Sequence, residues 1–222
     1  MKWIPYGPNA WLFRFAEKLG DETFARGRAI AATLEQHPPP GLVEFVPSFT
    51  SVLLEFKPGA ISDPAKELDE LDRRFASVMR RLPPPKPARD IPVIYDGPDL
   101  ERVAKRRGLS AAKVAELHSA VVYKVYVVGF SPGFPYLGDL DPRLHTPRLD
   151  VPRPRVPAGS VAIGGEHTGI YSVDSPGGWN IIGRTSVALF DPARKNSRDG
   201  EAAMFWLRAG ERVRFVPVKS FP

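Results

Sequence analysis

VVGFSPGFPYLGDL, residues 127–140, runs a β-branched segment straight into two prolines and three glycines. Val127 and Val128 continue a strand pattern, and Pro132 with Gly133 marks a tight turn. Phe130, Phe134, Tyr136 and Leu137 stand among these turn residues, where polar side chains are usual. A strand that leaves a core and bends into an aromatic-bearing loop is the grammar of β structure built from short strands. The same grammar continues downstream. Ten of the 19 glycines fall between Gly129 and Gly183, mixed with prolines and short β-branched runs. Short strands joined by tight turns predict a closed or folded-over sheet, a barrel or sandwich. The large apolar side chains of the loop then predict the wall of a cleft or of a subunit interface.

Upstream the pattern is different. WLFRFA (11–16) predicts a first strand, and Asp21 a helix cap for ETFARGRAIAATLEQ, which HPPPG ends. LVEFVPSFTSVLLEF (42–56) predicts two strands with a turn near Pro47 and Ser48. In residues 63–82, Leu68, Leu71, Phe75, Val78, Met79 and Leu82 recur at helical spacing behind Asp63 as cap and Pro64 at the first turn. The order β-α-β-β-α makes a small α+β domain over residues 1–85. PPPKPARD (83–90) is a stiff connector, and residues 86–222 form the mainly β domain.

Composition sets limits on function. At 222 residues the chain has ample length for a core, with 43% apolar and 25% charged residues. The absence of cysteine excludes disulfides, thiolate metal sites and a thiol nucleophile. MKWIPYGPNAWLFRF holds no uninterrupted apolar run of signal-peptide length, and AVVYKVYVVGF (120–130) is too short for a membrane span. A cytoplasmic protein without membrane attachment is expected. The net charge of +6 favours an anionic partner, but its lysines and arginines are scattered.

DLERVAKRRGLSAAKVAELH (99–118) has a helix-turn-helix outline, with Asp99 and Ser110 as caps and Gly108 as the left-handed turn. The second helix lacks side chains suited to base edges. The segment therefore predicts a structural helix pair leading into the β domain, and nucleic acid is not an expected partner. His118 closes this pair; its residue-level reading is a dipole contact or a polar group at the mouth of the β domain. His37, His145 and His167 show no metal-ligand spacing, so no metal is expected. TPRLDVPRPRVPAGS (146–160) holds Arg148, Arg153 and Arg155 on a stiff backbone suited to carboxylate or phosphate. AGS and IGGEHTG match no nucleotide-binding loop. DSPGGWN (174–180) sets Trp179 behind a double glycine, as a ligand wall, an interface anchor or a core lid. No nucleophile elbow occurs.

The blocks GFSPGFPYLG, PRPRVPAGSVAI, TGIY and SPGGWNIIGRT, together with EFVPSFTSVLLEFKP and IPVIYDGPDLERVAKRRGLS, resemble the KipI family over nearly the whole chain. That family is also called allophanate hydrolase subunit 1, the B subunit of bacterial 5-oxoprolinase (PxpB) or carboxyltransferase subdomains C and D. The resemblance implies a cyclophilin-like barrel for the second domain. It also implies a heteromer with a homologous C-type subunit (KipA or PxpC) and an A-type subunit, which together hydrolyse 5-oxo-L-proline to L-glutamate with ATP and Mg2+ as co-substrate. No bound cofactor is expected on this chain itself. An inhibitor of histidine kinase autophosphorylation and a carboxyltransferase or allophanate-hydrolase subunit are the alternatives the family name carries. His167 and Ser172 stand where the family usually has Gln and Pro, which leaves the substrate open.

On this basis His118 is the candidate catalytic group. Arg153, Arg155, Arg184, Ser160 and Thr168 are candidates for substrate or anion contacts. Phe134, Pro135, Tyr136, Tyr171, Ser175, Gly177, Gly178 and Trp179 are candidates for the wall of a pocket or interface.

Overall fold

The computed structural model describes residues 2–18, 20–48, 50–80, 87–196 and 200–221. The chain separates into two compact units, residues 1–84 and 85–222. The expected boundary after residue 85 and the helical Leu82 lie outside the described residues.

The first unit runs β1 (Lys2–Pro5), β2 (Ala10–Arg14), α1 (Asp21–Gln36), β3 (Leu42–Pro47), β4 (Ser51–Phe56) and α2 (Pro64–Met79). Its antiparallel sheet has the order β1-β2-β4-β3. Strand β1 is an addition to the expected order. It is four residues long and ends in proline at a sheet edge, where a missing N–H is tolerated and the alternation signal is weakest. Helix α1 begins at Asp21 itself, with Gly20 in the cap position. Helix α2 starts as its sequence requires. Asp63 accepts the Lys66 N–H at 3.2 Å, and Glu67 reaches back to the N–H groups of Ser62 and Asp63. Its stripe of Leu68, Leu71, Phe75 and Met79 packs with Ile30 and Leu34 of α1 on one face of the sheet, against Phe13, Val52, Leu54 and Phe56.

The second unit contains β5 (Arg89–Val93), α3 (Leu100–Arg107), α4 (Ala111–Ser119), β6 (Val122–Val128), β7 (Pro135–Gly138), β8 (Arg153–Val156), β9 (Ser160–Gly164), β10 (His167–Ile170), β11 (Ser175–Gly177), β12 (Asn180–Arg184) and β13 (Arg212–Pro217). Seven strands form one sheet in the order β12-β9-β10-β7-β6-β13-β5, and β8 pairs with β11 as a separate ribbon. Strand β13 pairs parallel with β5 and antiparallel with β6.

The two ends of the seven-stranded sheet meet. Beyond β5, Ile94 exchanges both backbone hydrogen bonds with Arg184 at 3.0 and 2.9 Å, and Gly97 N–H reaches Ile182 O. The sheet is thereby nearly closed into a barrel. Its interior is filled by Ile91, Val93, Tyr123, Val125, Leu137, Val161, Ile163, Ile170, Ile182, Val213 and Phe215.

Helices α3 and α4 pack Leu100, Val103, Ala104, Val114 and Leu117 into this same core. Gly108 makes the left-handed turn between them (φ +66°), and Ser110 caps α4 through Lys113 N–H. Asp99 does not cap α3; its side chain is drawn elsewhere by partners distant in sequence. No helix among the described residues is long and apolar enough to cross a membrane.

The seam dictates glycine on both sides. A Cβ on Gly183 would lie 2.6 Å from Ile94 O, and one on Gly97 would lie 2.4 Å from Ile181 O. Both obstacles are backbone and cannot rotate away. Gly183→Ala is therefore expected to lower the stability of the second unit by about 1–3 kcal/mol, the usual cost of overpacking. Gly129→Ala, with open space at its Cβ, should leave it unchanged. Urea unfolding of the two variants, read against the unmodified chain, checks this.

Candidate functional site

The loop at 129–134 is held from both sides. Gly129 N–H bonds to Phe134 O at 3.0 Å, Phe134 N–H bonds to Ser131 O at 3.1 Å, and the Ser172 hydroxyl donates to Pro132 O at 2.6 Å. Thus Ser172, one of the two departures from the family pattern, is a loop anchor, while His167 is exposed on β10. Gly133 takes φ +79° and Phe130 φ +76°, the latter a strained conformation for an aromatic residue. Phe130 is 66% exposed and meets Phe134 edge-on at 5.6 Å.

The sequence reads the aromatic residues behind it as the wall of a pocket or interface, with Trp179 alternatively a core lid, and most of them are buried. Phe134, Tyr171 and Trp179 are buried with Val156, Ala162 and Ile181 in a second apolar cluster, and Tyr136 is half-buried against it. Pro135 is buried as well. Phe134 meets Tyr171, Trp179 and Tyr136 edge-on at 5.3, 5.6 and 5.0 Å. The reason is the backbone beneath them. Cβ atoms on Gly164 and Gly177 would lie 2.8 Å from the Trp179 ring and 2.0 Å from the Tyr171 hydroxyl. One on Gly169 would lie 2.9 Å from Pro135 O. Glycine lets the rings lie directly on the sheet. Gly178 meets only ordinary contacts, at 3.6 Å.

The three candidate arginines do not converge. Arg155 pairs with Asp174 at 2.5 Å and Arg184 with Asp96 at 2.9 Å, both pairs exposed. Asp174 is held below the usual carboxylate range by the Ala158 N–H and then by Arg155. Arg153 is different. Its Nη2 donates to Asp99 Oδ1 at 2.8 Å, while Asp99 Oδ2 accepts the Ile181 N–H at 2.7 Å. Asp99 is only 4% exposed, so this joint ties the start of α3, strand β12 and strand β8 together. The second nitrogen, Nη1, is buried without a hydrogen-bond partner. Ser175 Oγ and Ser131 Oγ share that condition.

Arg148 adds a second cation. It lies over the Trp179 ring at 5.7 Å and has no carboxylate partner among the described residues. Asn180 stitches its segment down, donating to Pro147 O at 2.9 Å and Ile163 O at 3.2 Å, with Arg102 on its carbonyl oxygen. Tyr171 is where these groups meet. Burial raises its pKa, opposed by the Trp179 N–H and by the charges of Arg148 and Arg153. The phenol therefore stays a protonated donor at neutral pH. Two cations, a phenol and aromatic rings suit an anionic group on a flat or apolar body.

His118 belongs to none of this. It is fully buried; Tyr95 Oη lies 2.7 Å from Nδ1, and Nε2 lies 2.8 Å from Thr168 Oγ1. Thr168 gives its own proton to Ala162 O at 3.0 Å, so Nε2 donates to Thr168 and Nδ1 accepts from Tyr95. The ring stacks on Phe215 at 4.5 Å. His118 and Thr168 are thus core members of a hydrogen-bond chain and do not face solvent. The Ser160 hydroxyl is likewise engaged with Pro157 O at 2.7 Å. No group of metal-ligating side chains occurs among the described residues.

Nothing in the sequence marks Asp99, Asn180 or Tyr95 for these roles, beyond Asp99 as an apparent cap. Burial pushes His118 down to about pKa 3. Since the unfolded imidazole titrates near 6.5, the stability it contributes is complete above that pH and is lost as pH falls towards 3. In that window His118→Gln is expected to reduce the pH slope of unfolding free energy by up to about 1.4 kcal/mol per unit. Urea unfolding from pH 7 to 4 measures it.

Comparisons with known proteins agree along the chain. The family described as the carboxyltransferase domain, subdomain C and D, matches residues 1–198. The 5-oxoprolinase B subunit of Bacillus subtilis (strain 168) is 38% identical over 224 residues, covering 96% of this chain and 90% of that protein. The 5-oxoprolinase B subunit of Escherichia coli O157:H7 is 45% identical over 185 residues, covering 81% and 80%. The crystal structure of TTHA0988 superposes with a TM-score of 0.74 at 41% identity over 96% of this chain, which spans 40% of that longer one. The chain belongs to the carboxyltransferase subdomain C and D family and is a relative of the 5-oxoprolinase B subunits.

Proposed function

We propose that this chain is the B subunit of an ATP-dependent 5-oxoprolinase, acting with A-type and C-type subunits to hydrolyse 5-oxo-L-proline to L-glutamate. The carrying observation is its likeness to proteins named as 5-oxoprolinase B subunits along nearly its whole length. We read the closed sheet as the family's cyclophilin-like barrel, a likeness of architecture that brings no isomerase activity with it. The substrate is a small anion whose lactam amide is resonance-stabilised. Transfer of the terminal phosphoryl group of ATP, with its Mg2+, to the lactam oxygen makes the ring carbon electrophilic. Water then adds to that carbon and the C–N bond breaks with a proton passing to nitrogen, leaving an acyl phosphate that a second water hydrolyses to the carboxylate and phosphate.

Such a reaction needs cations for a carboxylate or phosphate and shelter from bulk water. On this chain Arg148 and the free edge of Arg153 are suited to the anion, and Tyr171 to a hydrogen bond. Arg155 and Arg184, each holding an aspartate at the surface, serve structure instead. We assign no proton-transfer role to His118.

Co-purified A, B and C subunits are expected to release glutamate from 5-oxoproline only when ATP and this chain are both present. Activity of the A and C subunits that is unchanged by leaving this chain out overturns the reading. Within the complex, Arg153→Lys keeps the charge and loses the fork, and Arg148→Ala removes a cation. Each should lower kcat/KM by roughly 10–100-fold, the worth of a charge-assisted hydrogen bond. Circular dichroism should be unchanged.

A further inference from the structure

The outer face of the small unit's sheet carries a pattern that its own chain leaves unused. Strand alternation sends Phe13, Val52, Leu54 and Phe56 to the helices, and therefore Leu12, Leu53 and Glu55 to the opposite side. The registers Ile4↔Leu12, Leu12↔Leu53 and Leu53↔Val46 align four aliphatic side chains across all four strands. Val46 is 51% exposed and the other three are partly exposed. On one side of this stripe lies the row Lys2↔Arg14↔Ser51, and on the other the row Ala10↔Glu55↔Glu44. Lys2, Arg14, Glu44 and Glu55 are all exposed, and none has an ion pair or side-chain hydrogen bond among the described residues.

The face therefore has a basic corner on β1 and β2, an acidic corner diagonally opposite on β4 and β3, and an apolar band between them. We propose that this face pairs with the same face of a second copy of the chain. A two-fold axis lying in the interface along the other diagonal places Lys2 and Arg14 of one copy over Glu44 and Glu55 of the other, twice. Stripe then crosses stripe near a right angle, the orthogonal mode of sheet packing. A partner surface of one sign would leave a corner facing its own charge; a second copy matches both. The contact is small, four strands about 4.8 Å apart, so the dimer is reversible and of roughly micromolar affinity. The inference is independent of the enzymatic reading.

Sedimentation velocity of the full chain from about 1 to about 200 µM tests it. A concentration-dependent monomer–dimer equilibrium is expected. Reversing one corner (Lys2→Glu with Arg14→Glu, or Glu44→Lys with Glu55→Lys) should raise Kd at least tenfold. Combining all four substitutions should restore the dimer, a rescue that damage to folding does not produce. Val46→Asp should abolish it. A chain that stays monomeric throughout overturns the proposal, as does a dimer indifferent to the corner reversals and Val46→Asp. So does a monomer whose face gains hydrogen-exchange protection only when a different polypeptide is added.

Discussion

A sheet that closes on itself must somewhere bring two backbones together with nothing between them. Here that place is the seam at Ile94 and Arg184, and two glycines make it passable. Side chains at positions 97 and 183 would hold the edges apart and open the barrel. Once the seam is closed, the chain past Gly97 is aligned along β12, and Asp99 N–H bonds to Ile181 O at 2.9 Å. That alignment delivers the Asp99 carboxylate to a position where Arg153 and the Ile181 N–H both reach it. The buried ion pair is thus a consequence of closure, and it depends on closure for its geometry. Removing Arg153 would leave the buried Asp99 carboxylate unmatched, which costs more than the pair contributes.

The candidate site inherits its rigidity from the same source. Arg153 is oriented by Asp99 on one edge, leaving its other edge fixed and unoccupied. The aromatic cluster beside it rests on glycine backbone, which fixes ring positions without rotamer freedom in the supporting layer. Preorganised donors next to apolar surface are what recognition of a small anion requires. By contrast, the His118 chain with Tyr95 and Thr168 spans α4, the segment after β5 and β10 with every polar atom satisfied. It specifies the core rather than the chemistry.

Local signals in the sequence are reliable where the structure is local. The stripe of α2, its Asp63 cap, the Gly108 turn and the Ser110 cap follow from spacing alone. The short strand β1 escapes because four residues ending in proline give too little alternation. What decides the candidate site is separated along the chain. Arg153 meets Asp99 54 positions away, Arg184 meets Asp96 88 positions away, and His118 meets Thr168 50 positions away. No periodicity encodes such pairs, so Arg153 and Arg155, which look available in a proline-stiffened segment, turn out engaged. The aromatics at 130–136 are legible as unusual, but the burial of Phe134 depends on Gly169, 35 residues downstream.

The parallel pairing of β5 with β13 has a consequence for synthesis. Residues 89–93 wait for residues 213–217, whereas every strand of the small unit finds its partner within the first 56 residues. At a ribosomal rate of about 5–20 residues per second, β5 stands with an unpaired edge for roughly 6–25 s. All strands of the small unit are made before that interval begins. The nascent barrel is accordingly at its most vulnerable to wrong edge pairing late in translation, when helper proteins that shield open strands have most to do.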